Sequence, residues 1–366
     1  MNVPQCNPNA SYLALKNRID KATADTLASG WYILGEQVSL FEKSFAEFCD
    51  TSFCVGCANG TDAVELSLMA AGIGKGDLVA TVANTAVATI SAIERAGAIP
   101  VFVDIDPETF TMSSTSLQQV LKKFQIKAVV VVHLFGHPAD IETIVALTKG
   151  NGIPVIEDCA QAHGASINGK RVGTFGITGT FSFYPTKNLG AFGDGGAVVT
   201  NDPILKDALI SLRQYGWKER YISSVKGINS RLDELQAAIL SVKLEYLNET
   251  NGKRRSIAEL YNDALSGIGD IFLPKEISGC HHVYHQYVIK TDQREELCKF
   301  LRNSQIGSAI HYPVPVHKQP AYSECKYIDL SVTESVNGKI LSLPMFPELS
   351  VDSVEYIIEK INQFFS

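Results

Sequence analysis

Ala128-Val129-Val130-Val131-Val132 is the stretch on which the reading of the fold turns. Its four valines are β-branched and favour an extended chain. The run has no polar alternation, so both faces of the strand must be covered. That is the mark of an inner strand in a mostly parallel sheet rather than of a half-wet antiparallel one. Working outward, short β-branched runs recur at Phe53 to Ala58, Leu78 to Val82, Pro100 to Val103, Pro154 to Glu157, Gly179 to Phe183 and Ala197 to Thr200, which makes seven strands. Between them, Asp62 to Ala71, Thr85 to Arg95, Ser116 to Phe124 and Asp140 to Thr148 have the length and apolar spacing of crossover helices. The alternation predicts an α/β unit with helices on both faces of its sheet.

From about Arg231 the pattern turns helical, through Leu232, Leu235, Ile239, Leu240 and Val242 to Leu247, and again from Arg254 to Leu265. This predicts a long helix bridging a large domain, residues 1–250, and a smaller α+β domain, residues 251–366. In the smaller domain Tyr284 to Lys290 and Ser308 to His311 read as strands, and Arg294 to Asn303 and Val351 to Phe365 as helices. Gly72-Ile73-Gly74-Lys75-Gly76 ends a helix instead of leaving a strand, so it reads as a turn and not as a nucleotide loop.

Composition narrows the function. At 45% hydrophobic and 19% charged residues, the 366-residue chain has ample material for a core. A net charge of −7 disfavours nucleic acid or an anionic membrane as the main partner. No apolar run approaches a membrane span, and the start of the chain lacks a basic segment followed by an apolar one, so a cytoplasmic setting is expected. The eight cysteines are scattered and read as free thiols. Cys54-Val55-Gly56-Cys57 reads as alternate residues of a buried strand, since no second pair completes a zinc site. His281-His282 with His285 reads as a strand entry with solvent-facing imidazoles, and His133 and His137 as residues following a core strand. No metal site is predicted.

Three local features carry chemistry. Lys187, in Phe181-Ser182-Phe183-Tyr184-Pro185-Thr186-Lys187-Asn188, lies just beyond a strand end, where an amine can form a Schiff base. Asp158, in Glu157-Asp158-Cys159-Ala160-Gln161, follows the strand Ile153-Pro154-Val155-Ile156, and a carboxylate there can hold a pyridine nitrogen protonated. Asn59-Gly60-Thr61-Asp62 joins a strand to a helix whose N-terminus offers free N–H groups and a positive dipole end to a phosphate. Lysine, aspartate and phosphate cradle together describe pyridoxal 5′-phosphate.

The chain resembles the DegT/DnrJ/EryC1/StrS sugar-nucleotide aminotransferases, which have the PLP-dependent transferase fold type I. The likeness runs almost end to end: Gly30-Trp31-Tyr32-Ile33-Leu34-Gly35, Asn59-Gly60-Thr61-Asp62-Ala63, Val101-Phe102-Val103-Asp104-Ile105-Asp106, Glu157-Asp158-Cys159-Ala160-Gln161-Ala162-His163-Gly164, the Lys187 segment, the stretch from Gly227 to Ala238, and Ile310-His311-Tyr312-Pro313-Val314-Pro315. The resemblance implies a homodimer with shared active sites, acting on L-glutamate and a nucleotide-linked keto-sugar. It also implies that Gln161 lies at the ring's hydroxyl edge, that Ser182 contacts the phosphate alongside Gly60 and Thr61, and that Asn229 reaches the phosphate of the neighbouring subunit. Tyr184, Tyr221, His311 and Tyr312 are the acceptor candidates, and Arg231 is either an interdomain salt bridge or a pyrophosphate clamp. The run Leu212-Arg213-Gln214-Tyr215-Gly216-Trp217, with Glu219-Arg220-Tyr221, looks closer to members acting at C3 of dTDP-3-keto-6-deoxyhexoses than to C4 enzymes on UDP-, GDP- or dTDP-4-keto sugars. Related dehydratases carry histidine in place of the lysine, so Lys187 argues against that branch. A non-catalytic nucleotide-sugar-binding regulator would leave all three features idle. One departure stands out: where relatives stack an aromatic residue on the ring, this chain has Ala86.

Overall fold

The computed structural model describes residues 1–366. Its centre is an eight-stranded sheet in the order Phe53–Cys57, Gly196–Thr200, Thr178–Ser182, Val155–Asp158, Ile126–Val132, Leu78–Val82, Ile99–Val103 and Lys326–Tyr327. The seven expected strands are all present. Gly196–Thr200 runs antiparallel to both of its neighbours, and the remaining pairs are parallel. The eighth strand comes from the C-terminal part of the chain and extends the far edge.

The valine run behaves as its composition requires. Val129 and Val131 pack with Leu117, Val120, Ile141 and Ile144, from the helices Ser114–Lys123 and Ile141–Lys149, on one face. Ala128 and Val130 pack with Val64, Leu68, Ala92 and Ile93, from the helices Gly60–Ala70 and Val87–Arg95, on the other. Successive side chains of a strand point to opposite faces, so an unbroken apolar run is what two covered faces demand.

The path of the chain locates a crevice. From Leu78–Val82 it moves outward to Ile99–Val103, then crosses back to Ile126–Val132 and continues through Val155–Asp158 to Thr178–Ser182. The reversal lies between Leu78–Val82 and Ile126–Val132, and ligands of doubly wound sheets bind beyond the carboxyl ends of strands at such a reversal.

Two expected elements differ. The long bridging helix is two helices, Glu234–Leu244 and Leu247–Leu265, because its halves follow different cores. Ala237 and Leu240 pack with Phe41 and Phe45, whereas Ile257, Ala258, Tyr261 and Leu265 belong to the C-terminal cluster with Tyr287, Leu341 and Ile357. At the break the Arg18 guanidinium grips the Glu245 carboxylate and the Tyr246 hydroxyl. Ser308 to His311 is not a strand. Ile340–Leu343 pairs with Tyr287–Lys290, and only Ala309 bridges to Ser342 on its other side. The helices Arg294–Asn303 and Val351–Phe365 stand as expected. Val3 joins the C-terminal cluster, while Val316 and Leu330 pack against Phe102 of the large sheet, so sequence order and packing do not divide at one point. No helix is long and apolar enough to cross a membrane.

Candidate active site

The carboxyl ends of the parallel strands carry the groups that the sequence singled out. Asp158 is the last residue of its strand and is buried. Its Oδ2 accepts from Thr89 Oγ1 at 2.8 Å and its Oδ1 from the Ala160 N–H at 3.1 Å, while Thr85 Oγ1 lies 3.2 Å from Thr89 Oγ1. Burial raises the Asp158 pKa, against the lowering pull of Thr89, the Ala160 N–H and the charge of Lys187. Lys187 is half-buried as a residue, but the protein packed around its amine brings the pKa down to about 8, with Asp158 pulling it back up.

At the adjacent helix, the Asn59 side chain accepts from the Asp62 N–H at 2.8 Å. The N–H groups of Gly60 and Thr61, in the same first turn, have no intrahelical acceptor. A Cβ on Gly60 would come within 2.6 Å of Ser182 Cβ, and one on Gly196 within 2.4 Å of the Asn59 carbonyl. The absence of side chains at these two positions lets the helix N-terminus sit directly against the strand ends, beside the half-buried Ser182.

Gln161 is engaged at both ends. Its Oε1 accepts from the Phe135 N–H at 2.7 Å and its Nε2 donates to Tyr312 Oη at 3.0 Å. The Tyr312 link joins the loop after Asp158 to the C-terminal part of the chain, a pairing the sequence did not signal. Burial pushes the Tyr312 hydroxyl up to about 12. His311 Nδ1 lies 2.8 Å from Ser342 Oγ, and burial followed by the charge of Lys187 lowers its imidazole to about 4.

The remaining candidates stand apart. Tyr184 and Tyr221 are exposed, the latter beside Trp217 on the hairpin Trp217–Glu219 and Ile222–Ser223. Asn229 is exposed and its side chain has no hydrogen bond, although the next residue, Ser230, accepts from the Ala58 N–H at 3.0 Å. Arg231 is half-buried with no carboxylate in salt-bridge range, so it forms no interdomain salt bridge in this chain.

The structure adds residues the sequence reading passed over. Asn84, just past Val82 at the reversal, is buried with both ends of its amide unpartnered. His163 packs on Phe181 and Phe183, and burial pushes its imidazole down to about 3. His163 lies in the stretch Glu157 to Gly164, but nothing in residue type alone marks Asn84 as an unpaired amide. The imidazoles expected to face solvent divide: His281 does, whereas His282 and His285 are buried, His282 stacking on Tyr284 at 3.9 Å and His285 bonding Asn188 at 3.0 Å.

His133, Glu157 and Cys159 place ligand-type atoms within 4.8 Å of one another. His133 Nδ1 accepts from the Ala139 N–H, which leaves the proton on Nε2 to donate to Glu157 at 3.0 Å. The same carboxylate takes the N–H groups of Gly173, Phe175 and Gly176. These groups tie loops together beneath Asp158.

A phosphate cradle, a buried carboxylate and an amine of lowered pKa fit pyridoxal 5′-phosphate, and the unpaired Asn84 amide leaves polar capacity in the same crevice. Comparison with known proteins agrees with this chemistry. The model of the DegT/DnrJ/EryC1/StrS aminotransferase family matches residues 14–362. The chain is 44% identical to a pleiotropic regulatory protein of Geobacillus stearothermophilus, covering 100% of this chain and 99% of that one. It is also 44% identical to the dTDP-3-amino-3,6-dideoxy-alpha-D-galactopyranose transaminase of Aneurinibacillus thermoaerophilus, over 95% of this chain and 96% of that one. Among solved structures it is similar to S. venezuelae DesV in complex with a ketimine intermediate, with a TM-score of 0.97 and 39% identity over 100% and 99% of the two chains.

Proposed function

The chain belongs to the DegT/DnrJ/EryC1/StrS aminotransferase family, and from that premise we propose that it moves an amino group from L-glutamate to C3 of a dTDP-3-keto-6-deoxyhexose. It is a PLP-dependent enzyme of fold type I. The observation that carries the proposal is that Lys187, its amine lowered to about 8 by burial, follows the end of one sheet strand while the buried Asp158 ends the neighbouring one.

Bound pyridoxal 5′-phosphate supplies the electron sink that makes a carbon–hydrogen bond beside an amine acidic. Lys187 is the residue that would hold it covalently. Once released, the Lys187 amine is the base that takes the proton from the donor carbon and returns one to the acceptor carbon, and an amine near 8 has an appreciable neutral fraction for that task. Asp158, fixed in orientation by Thr89 and Ala160, would supply the counter-charge to a ring nitrogen. Gly60, Thr61 and Ser182 would hold the phosphate, and Gln161 would lie toward the ring's hydroxyl edge.

Acceptor contacts fall to Tyr184, Tyr221, His311 and Tyr312, with the unpaired Arg231 suited to a pyrophosphate. Asn229 serves the partner's phosphate across a homodimer interface, a role its exposure and free amide support. Exposed Trp31, Tyr32, Ile33 and Ile222 offer apolar surface for such an interface. The sheet, built mainly from residues 1–250, would carry the cofactor, and Tyr312 from residues 251–366 would close one side of the site. A cytoplasmic setting accords with eight free thiols.

The test is turnover of purified protein with glutamate and either 3-keto or 4-keto nucleotide sugars. Visible absorbance should bleach with glutamate and return with the 3-keto acceptor. Amination at C4 alone would overturn the regiochemistry, and no spectral response to either partner would favour a binding or regulatory role.

A further inference from the structure

Lys187 is followed by a residue whose amide is fully used. Asn188 Nδ2 donates to Asn251 Oδ1 at 2.9 Å and to the Val283 carbonyl at 3.0 Å, and its Oδ1 lies 3.0 Å from His285 Nδ1. An amide has two N–H donors and one oxygen, and every one of them is directed at a different anchor. The anchors lie on the helix Leu247–Leu265 and on the segment leading into the strand Tyr287–Lys290, both outside the sheet that presents Lys187.

Those anchors are themselves fixed. Asn251 Nδ2 donates to the His163 carbonyl at 2.8 Å, in the loop after Asp158. The Val283 N–H reaches the Gly136 carbonyl at 3.1 Å, and Arg254 Nη1 reaches the carbonyls of Tyr284 and His285. Two residues beyond Asn188, the Gly190 carbonyl accepts from the buried Lys243 amine. The turn bearing the lysine is thus lashed on one side to the C-terminal unit and, through Asn251, to the loop that follows Asp158.

We propose that Asn188 is a positioning residue: its three hydrogen bonds lock the Lys187 turn to the Asn251 helix and the Val283–His285 segment, holding the amine in its enclosed place opposite Asp158. The inference rests on the aminotransferase reading for its effect on turnover, but not for its effect on the amine itself. Imidazole Nδ1–H donation to Asn188 also leaves His285 Nε2 as an acceptor, so the same amide sets a tautomer beside the lysine.

The experiment uses Asn188→Ala and, as a second and milder cut, Asn251→Ala. In cofactor-free protein, acylation of Lys187 by an amine reagent is followed against pH by peptide mass spectrometry. The wild-type midpoint is expected near the lowered value of about 8. In Asn188→Ala the freed turn exposes the amine and the midpoint moves up by about half a unit or more, and Asn251→Ala moves it less in the same direction. In holoenzyme, kcat falls roughly tenfold or more while the KM for glutamate changes little, as misplacement of a reacting group predicts. A role confined to stability would lower the melting temperature and leave the midpoint in place. Folded variants whose midpoints and kcat both match wild type overturn the proposal. Failure of the aminotransferase reading looks different: wild type transfers no amine, yet the labelling midpoints still separate.

Discussion

Asp158 and Gln161 have each of their polar ends engaged within the chain, whereas Asn229, Arg231, Tyr184 and Tyr221 offer theirs to nothing in it. In the proposed site the first pair would make the floor and the second group the rim. A floor satisfied in advance costs no reorganisation when charge develops above it, which is the condition for electrostatic catalysis. A rim of free side chains is complete only with a ligand or a second subunit. The contrast explains why the cofactor chemistry follows from one chain while the acceptor does not.

The largest effect is expected at the floor. Lys187→Ala should abolish amino transfer, by roughly 10⁴-fold or more, because one amine both holds the cofactor and moves the proton. Steady-state assay with glutamate and a keto-sugar nucleotide checks it, and substantial residual turnover would place the chemistry elsewhere. Asp158→Asn keeps the shape but removes the counter-charge, and should lower kcat by about 10²-fold to 10³-fold. A variant of unchanged kcat would show that the carboxylate merely packs.

The rim is tested by complementation. If Asn229 serves the partner's site, mixed dimers of Lys187→Ala and Asn229→Ala contain one site damaged twice and one left whole. Co-expression should then recover up to about half of the wild-type activity per mixed dimer. Activity no higher than the average of the two parents would place Asn229 in its own subunit's site, or in none.

The smallest effect concerns stability of the cofactor-free chain. Lys187 titrates near 8 when folded and at its ordinary 10.5 when unfolded, so the unfolded chain binds more protons between those values and stability rises with pH there. Lys187→Met should therefore stabilise the chain most below about pH 8, and the gain should shrink to nothing as pH passes 10.5. Denaturant melts of the two proteins across that window check it, and a pH-independent difference would mean that the amine is not enclosed.

Legibility followed the same division. The seven sheet strands were readable because burial on both faces forces β-branched runs, and each lies within two residues of its expected place. Lys187, Asp158 and Gly60 were readable because strand ends and a helix start fix where their side chains or N–H groups point. The two-residue strand Lys326–Tyr327 was not, since a short exposed edge needs no apolar pattern. The helix break at Glu245 and Tyr246 escaped because both halves keep helical periodicity and only their cores differ. The contrast between Asn188 and Asn84 was invisible: one amide has three partners and the other none, and composition does not distinguish them.

Two lysines in the chain have amines brought down to about 8 by burial, Lys187 and Lys243, but only Lys187 is coupled to Asp158, whereas Lys243 bonds the Gly190 carbonyl. Borohydride reduction of protein loaded with pyridoxal 5′-phosphate, followed by peptide mass spectrometry, separates them. A single pyridoxyl group is expected on the peptide containing Lys187, lost in Lys187→Ala. A pyridoxyl group on Lys243 or any other lysine, or none at all, would contradict it.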